Sequence, residues 1–282
     1  MRRHTRSRVR KRTRFLLSSI PLLLFVVLGA VGPMIGAYHP EDVSVHDRLV
    51  PPLGRMADGS VAWFGTDSLG RPLLPQVIEG ARLSLTVAIS TVCLASLVGL
   101  VAGLVAGYFG GVADMIIMRL VDVQLAFPAL VIAMSIAAVL RPSIITVIAA
   151  ISISMWASFS RVVRANVLRI REEVFVEAAR ATGCPNLRIL RAHVTPFVIS
   201  PLLVVASTAL GVAIMSEASL SFLGLGVPRP AASWGSIVSG GRSYLVNGWW
   251  ISTIPGIVMM ACVFSAAIFG DSLRDLLDPT SK

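Results

Sequence analysis

Charge is scarce in this chain. Only 14% of its 282 residues are Asp, Glu, Lys or Arg, while hydrophobic residues make up 55%. Soluble domains carry about 25% charged residues, so the composition is that of a polytopic membrane protein rather than a soluble enzyme. Lysine is nearly missing, with Lys11 and Lys282 at the two ends. A phosphate-cradling G-x-x-x-x-G-K-[ST] loop needs a lysine behind its glycines. Neither lysine has that context, so the usual ATP-hydrolysing loop is not expected here. The three cysteines, Cys93, Cys184 and Cys262, are far apart and outline neither a disulfide framework nor a zinc site. Cys93 and Cys262 fall in apolar runs, where cysteine acts as a small hydrophobe. There are four histidines, His4, His39, His46 and His193. His39 and His46, with Glu41 and Asp42, match no compact ligand spacing and read as a solvated loop. HExxH and GxSxG do not occur. A serine nucleophile would need a base and an orienting group, and no span offers that partnership. No catalytic residue and no metal site is expected.

What is present is six apolar runs, at about residues 15–37, 83–109, 115–140, 143–160, 197–223 and 251–270. Each approaches the ~20 residues a helix needs to cross a bilayer. Backbone groups in lipid must be satisfied within the segment, so the expected class is all-α with six transmembrane helices. The first run exceeds the 7–15 residues of a signal-peptide core and reads as a retained helix. Basic residues are unevenly placed along this pattern. Eight of the 25 lie in the first fourteen positions and seven arginines lie between Arg161 and Arg191. With the amino terminus inside, the inner segments hold 18 basic residues and the outer ones seven. The positive-inside bias favours that orientation. It accounts for the net charge of +10 without a nucleic-acid partner. The expected division is a basic tail at 1–14, a first helix at 15–37, and an outer segment at 38–82. A membrane core follows at 83–273, with an inner loop at 161–196, and a tail at 274–282. Trp249 and Trp250 mark an interface.

Some residues within the spans carry more than hydrophobicity. Gly99, Gly103 and Gly107 recur every four residues on one helix face, a spacing that lets two helices approach closely. Arg119 and Asp122 are three apart and able to pair on one face, near the inner end of their span. Glu217 lies near the outer end of the fifth span. Intramembrane acids can mark ion relays, but Asp114, Asp122 and Glu217 form no midspan chain.

The most informative stretch is "EEVFVEAARATGCPNLRILRAHVTP", residues 172–196. Val174, Phe175, Ala178, Ala179 and Thr182 form a mostly apolar stripe on a short helix. Glu173, Glu177 and Arg180 lie on another face. Gly183 can take the left-handed conformation that ends a helix, and Pro185 suits the first turn of the next. Leu187, Leu190 and Val194 form the second stripe, and Pro196 opens span five. The segment is a helix–turn–helix bracket. Patterning alone leaves two uses open: docking into a partner's groove, or lying on the lipid surface.

The residues "EAARATG" (177–183), followed by Pro196, resemble the EAA signature of ATP-binding-cassette (ABC) importer permeases. "GTDSLGRPLLPQVIEGARLSL" (65–85), "SEASLSFLGLGVPRPAASWG" (216–235) and "GDSLRDLLDP" (270–279) resemble segments of C-type dipeptide and oligopeptide permeases. The likeness covers residues 65–282, with Pro72 where that family usually has aspartate and Thr195 where it has leucine. The resemblance implies a type I (MetI-like) importer architecture. It also implies a heterodimer with a B-type permease subunit, two cytoplasmic ABC ATPases that bind ATP and Mg, and an extracytoplasmic substrate-binding protein. It implies that Glu177, Ala178, Ala179, Gly183 and Pro196 belong to the ATPase contact. The outer family motifs would be Gly65, Thr66, Asp67, Gly70 and Arg71, together with Ser233, Trp234 and Gly235. Peptides, nickel chelates and glutathione are all cargoes of such permeases, and an ion-coupled secondary transporter is the alternative class.

Overall fold

The computed structural model describes residues 2–35, 38–228 and 230–277, with side chains except at 2–14, 33 and 35. The basic side chains of the amino-terminal tail, Arg229, Lys282, and Asp278 and Pro279 of the last motif lie outside the described residues. In chain order come α1 (Arg2–Ile35), a hairpin of β1 (Gly54–Arg55) and β2 (Val61–Ala62), α2 (Leu73–Phe109), α3 (Gly111–Leu125) and α4 (Ala129–Val139). Then follow α5 (Ile144–Ile170), α6 (Val174–Ala181), α7 (Asn186–Ile189), α8 (Thr195–Phe222), α9 (Trp234–Gly241) and α10 (Trp250–Leu277). A widened turn, Leu190–Val194, joins α7 to α8.

Among the described residues, five stretches are long and apolar enough to cross a membrane: Phe15–Gly32, Leu73–Phe109, Ile144–Ile170, Asn186–Phe222 and Trp250–Leu277. α3 and α4 pass the same test only as a pair, and they are bent by 89°. The sequence pattern suggests one straight helix over 115–140; the structure breaks it at residues 126–128. Pro128 is the cause. It lacks an N–H, and its ring drives Phe127 out of helical geometry, so Pro128 becomes the N-cap of α4.

Two other expected boundaries move. α2 starts at Leu73 rather than 83 because Leu73, Val77 and Ala81 form a helical stripe that is fully buried. Its charges, Glu79 and Arg82, pair with each other at 2.6 Å. α5 runs on from 160 to Ile170 because Val163, Val167 and Ile170 continue its buried stripe. Arg161 and Arg164 on this extension pair with acids of α3, as described below.

α2 packs most extensively on α5, and α8 on α10. The glycine face of α2 makes the first contact. A Cβ at Gly99 would fall 2.9 Å from the Trp156 carbonyl, and one at Gly103 2.7 Å from the Ser160 carbonyl. At Gly107 it would fall 2.7 Å from Val167 Cβ. The absent side chains are what allow the backbones to approach. α1 lies across α2 and α10, with Phe15 stacked near Phe269 at 5.4 Å and Phe25 near Trp234 at 6.2 Å. α1 and α10 therefore meet at one end, the end that carries α6 and α7; the hairpin lies at the other.

Candidate functional site

At the bracket end, α6 stops in a Schellman arrangement. Gly183 sits at φ +77°, its N–H donates to the Arg180 carbonyl at 2.9 Å, and the Cys184 N–H donates to the Ala179 carbonyl at 3.0 Å. Only glycine takes this backbone without strain. Pro185 then stands at the N-cap of α7, one residue before its first turn. Pro196 lies in the first turn of α8, just past the widened turn Leu190–Val194.

The faces of the bracket differ from the expected stripes. Val176 is the buried residue of α6, while Val174 is 78% exposed and Glu177 and Ala178 are also exposed. In the second arm Ile189, Leu190 and Val194 are buried, whereas Leu187 is 66% exposed. Arg180 turns toward the bundle rather than away, its guanidinium 5.2 Å from the Tyr108 ring centroid. The Tyr108 hydroxyl donates to Asn186 Oδ1 at 2.9 Å. Phe175 stacks on Phe197 at 5.3 Å. The bracket is thus pinned to the end of α2 and the start of α8, while Val174, Glu177, Ala178 and Leu187 stay uncovered.

The charged residues of α3 also pair differently from the sequence expectation. Asp122 bonds not Arg119 but Arg161 of α5, at 2.7 Å, and Asp114 accepts both Nε and Nη2 of Arg164. Antiparallel packing of α3 on α5 brings these charges together, which wins over spacing within one helix.

At the hairpin end the two family-like segments converge. Thr66, fully buried, takes the Val50 N–H on its hydroxyl at 2.8 Å, and its carbonyl accepts Trp250 Nε1–H at 3.0 Å. Asp67 accepts the N–H groups of Leu69 and Arg71 at 2.8 and 2.9 Å, Arg71 Nε at 2.8 Å and Gln76 Nε2 at 3.1 Å. Gly65 and Gly70 hold φ +80° and +81°, and a Cβ at Gly65 would meet Trp250 Nε1 at 2.7 Å. Pro72 is the N-cap of α2, where a missing N–H is no loss. Asp58, in the hairpin turn, accepts the Ser60 hydroxyl and N–H at 2.6 and 2.9 Å; the hydroxyl bond first, then the N–H, hold its carboxyl below the usual range. His39 lies 3.6 Å from Glu41, and among the described residues no three metal-ligating side chains cluster.

Ser233 caps α9 and Ser236 bonds back to it. Trp234 is fully buried and donates Nε1–H to the Val77 carbonyl at 3.0 Å. Gly235 rests on α8, where a Cβ would lie 2.7 Å from the Ala218 carbonyl. Beneath them is Glu217, near the end of α8 as its sequence position suggests and fully buried. It accepts the Ser84 hydroxyl at 3.0 Å and the Ser221 hydroxyl at 2.7 Å. Ser84 in turn accepts the Trp234 N–H at 3.3 Å, and the Ser233 hydroxyl donates to Ser221 at 3.2 Å. This chain ties α2, α8 and α9 together. Sequence reasoning did not single out Ser84 and Ser221, although both lie inside the quoted motifs; nothing in the sequence signalled the contacts of Tyr108. A cavity of about 360 Å³ opens between this junction and the outer segment, with Arg71, Gln76, Ser236 and Ile237 in its wall.

A bent, glycine-seamed helical bundle with a short helical bracket at one end is the build of a membrane transport component. The comparisons give the family. Residues 99–282 match the family described as binding-protein-dependent transport system inner membrane component, and the chain belongs to it; it is a membrane-spanning protein. The chain is 38% identical over 278 residues to a putative peptide transport system permease protein of Brucella suis, covering 99% of this chain and 92% of that protein. It is 34% identical over 262 residues to a probable D,D-dipeptide transport system permease protein of Escherichia coli, covering 93% and 86%. A glutathione transport system permease protein of Pectobacterium atrosepticum is 34% identical over 261 residues, covering 93% and 85%. The fold matches a chain of the inward-facing MetNI methionine ABC transporter with a TM-score of 0.60 at 17% identity, covering 73% of this chain and 98% of that one.

Proposed function

We propose that this chain is one permease subunit of an ABC importer for di- and oligopeptides in a bacterial inner membrane. It forms half of the pathway and pairs with a B-type permease. The positive-inside bias sets the bracket end in the cytoplasm. There α6 docks on one of two ABC ATPases, which hold ATP and Mg. An extracytoplasmic binding protein delivers cargo to the hairpin end. Relatives at 34–41% identity named for peptides or dipeptides support the cargo class. Glutathione, named for another relative, is itself a tripeptide, so it falls within that class.

The observation that carries the coupling role is the bracket itself. One side is fixed to α2 and α8 by Tyr108, Asn186 and Phe197, while Val174, Glu177, Ala178 and Leu187 are left for a partner. A nucleotide-driven change in the ATPases would shift the permease only through contacts that differ between its states, and this surface can supply them. Glu177→Arg reverses the charge on that face. Gly183→Pro removes the N–H that bonds Arg180 and forbids φ +77°. Both variants are expected to insert in the membrane and to abolish labelled-peptide uptake. Normal uptake in both removes the coupling role.

A further inference from the structure

α5 ends directly on the bracket, and its last two turns grip the neighbouring turn between α2 and α3. Arg171, at the end of α5, donates Nη1–H to the Gly107 carbonyl at 2.9 Å. That carbonyl belongs to the last turn of α2, the negative end of the helix, where a guanidinium is stabilising. Seven residues earlier Arg164 donates Nε–H and Nη2–H to the two carboxylate oxygens of Asp114, at 2.5 and 2.6 Å. Asp114 is in the first turn of α3, the positive end, where a carboxylate is stabilising for the same reason. Between these grips the chain reverses through Gly110 and Gly111, at φ +65° and +55°. Two glycines in the left-handed region give a connection that does little to fix its own direction. The direction comes from α5.

The grips are unequal. The Arg164–Asp114 side chains are 31% and 20% exposed, against 55% and 61% for Arg161–Asp122 further along. A two-point guanidinium–carboxylate fork also fixes orientation as well as distance. Beyond them Gln124 donates to the Ile153 carbonyl at 2.7 Å, so α3 is tied to α5 almost to its break at residues 126–128.

We propose that Asp114 is a positioning residue for coupling. Its fork with Arg164, backed by Arg171, makes the α2–α3 turn move with the bracket as one body and carries that motion along α3 to the 89° bend before α4. Without the fork the glycine turn pivots, and movement of the bracket leaves α3 and α4 behind. This inference rests on the coupling role given to α6 above.

The test uses the complete transporter in proteoliposomes, reading peptide uptake and ATP hydrolysis in the same vesicles. Asp114→Asn and Arg164→Gln are expected to lower uptake per ATP hydrolysed at least tenfold, with subunit assembly and hydrolysis retained. The exchange of both residues, Asp114→Arg with Arg164→Asp, is expected to restore at least half of the ratio. Glu177→Arg, run beside them, separates the two claims. If it and Gly183→Pro both leave uptake intact, the bracket role fails and the inference with it. If it abolishes uptake while both single variants keep the wild-type ratio, the inference alone fails. Loss of assembly in the single variants, or an unchanged ratio with both uptake and hydrolysis lowered together, makes the fork a packing feature and overturns the positioning role.

Discussion

A side chain at Gly103 should force the bundle's most extensive helix contact apart. A Cβ there lies 2.6 Å from both Cβ and Cγ1 of Val163 and 2.7 Å from the Ser160 carbonyl oxygen. Carbon atoms rest at about 3.5–4.0 Å, so close to 1 Å of overlap must be relieved against atoms with little freedom. Overpacking of this kind costs about 1–3 kcal/mol. Gly103→Val adds two further methyl groups and only a few tenths of a kcal/mol of helix propensity. The melting midpoint of the purified protein, followed by tryptophan fluorescence in detergent, should fall by roughly 2–12 °C at about 2–4 °C per kcal/mol. Gly256→Val is the control, since a Cβ at Gly256 meets nothing within 4 Å; its effect should stay within about 0.5 kcal/mol. Adding Val163→Ala to Gly103→Val should recover only part of the loss, because Val163 Cβ and the Ser160 carbonyl stay in place. If Gly103→Val melts at or above the wild type, the seam is not close-packed and the reasoning is wrong.

Substitutions at two further residues test the hairpin end. Asp67→Asn removes the charge facing Arg71, whose side chain is only 17% exposed. Breaking a buried pair costs about 3–5 kcal/mol, so trypsin should cleave faster at the exposed Arg48 and Arg55 of the outer segment; an unchanged rate counts against Asp67 as its organising residue. Glu217→Ala strips the acceptor from the hydroxyls of Ser84 and Ser221, at about 1–3 kcal/mol for each group left unsatisfied. Glu217→Gln keeps the volume and an acceptor and should melt higher than the alanine variant, whereas equal melting would mean the network contributes nothing to the junction.

Much of this was readable along the chain because it depends on local chemistry. The glycine repeat at 99, 103 and 107 announces a close helix contact whichever helix supplies the partner. Gly183 announces a helix stop because few other residues take φ +77°. The 89° bend is hard to read although Pro128 marks it, because a continuous apolar run outweighs one breaker. The early start of α2 was hidden by Glu79 and Arg82, which read as loop charges until they are seen to pair at 2.6 Å. What could not be read depends on long-range packing. Asp122 finds Arg161 thirty-nine residues away rather than its neighbour Arg119. Ser84 meets Glu217 across 133 residues, and Tyr108 meets Asn186 across 78. Periodicity assigns a face to each such residue but not the element opposite it. The inner face of α6 is set in the same way: Val176 joins the core cluster, while Arg180 and Phe175 reach Tyr108 of α2 and Phe197 of α8.

The central claim, a permease subunit that borrows its energy through the bracket, is tested most directly by its company. The tagged chain should be solubilised gently from its native membrane and everything that copurifies identified, alongside the same chain carrying Glu177→Arg. The account predicts a second multi-span permease and one or two P-loop ATPases with the unaltered chain, and loss of the ATPases alone with the variant. If the unaltered chain emerges repeatedly without an ATPase while still supporting uptake, the bracket is not an ATPase dock and an ion-coupled transporter becomes the better description.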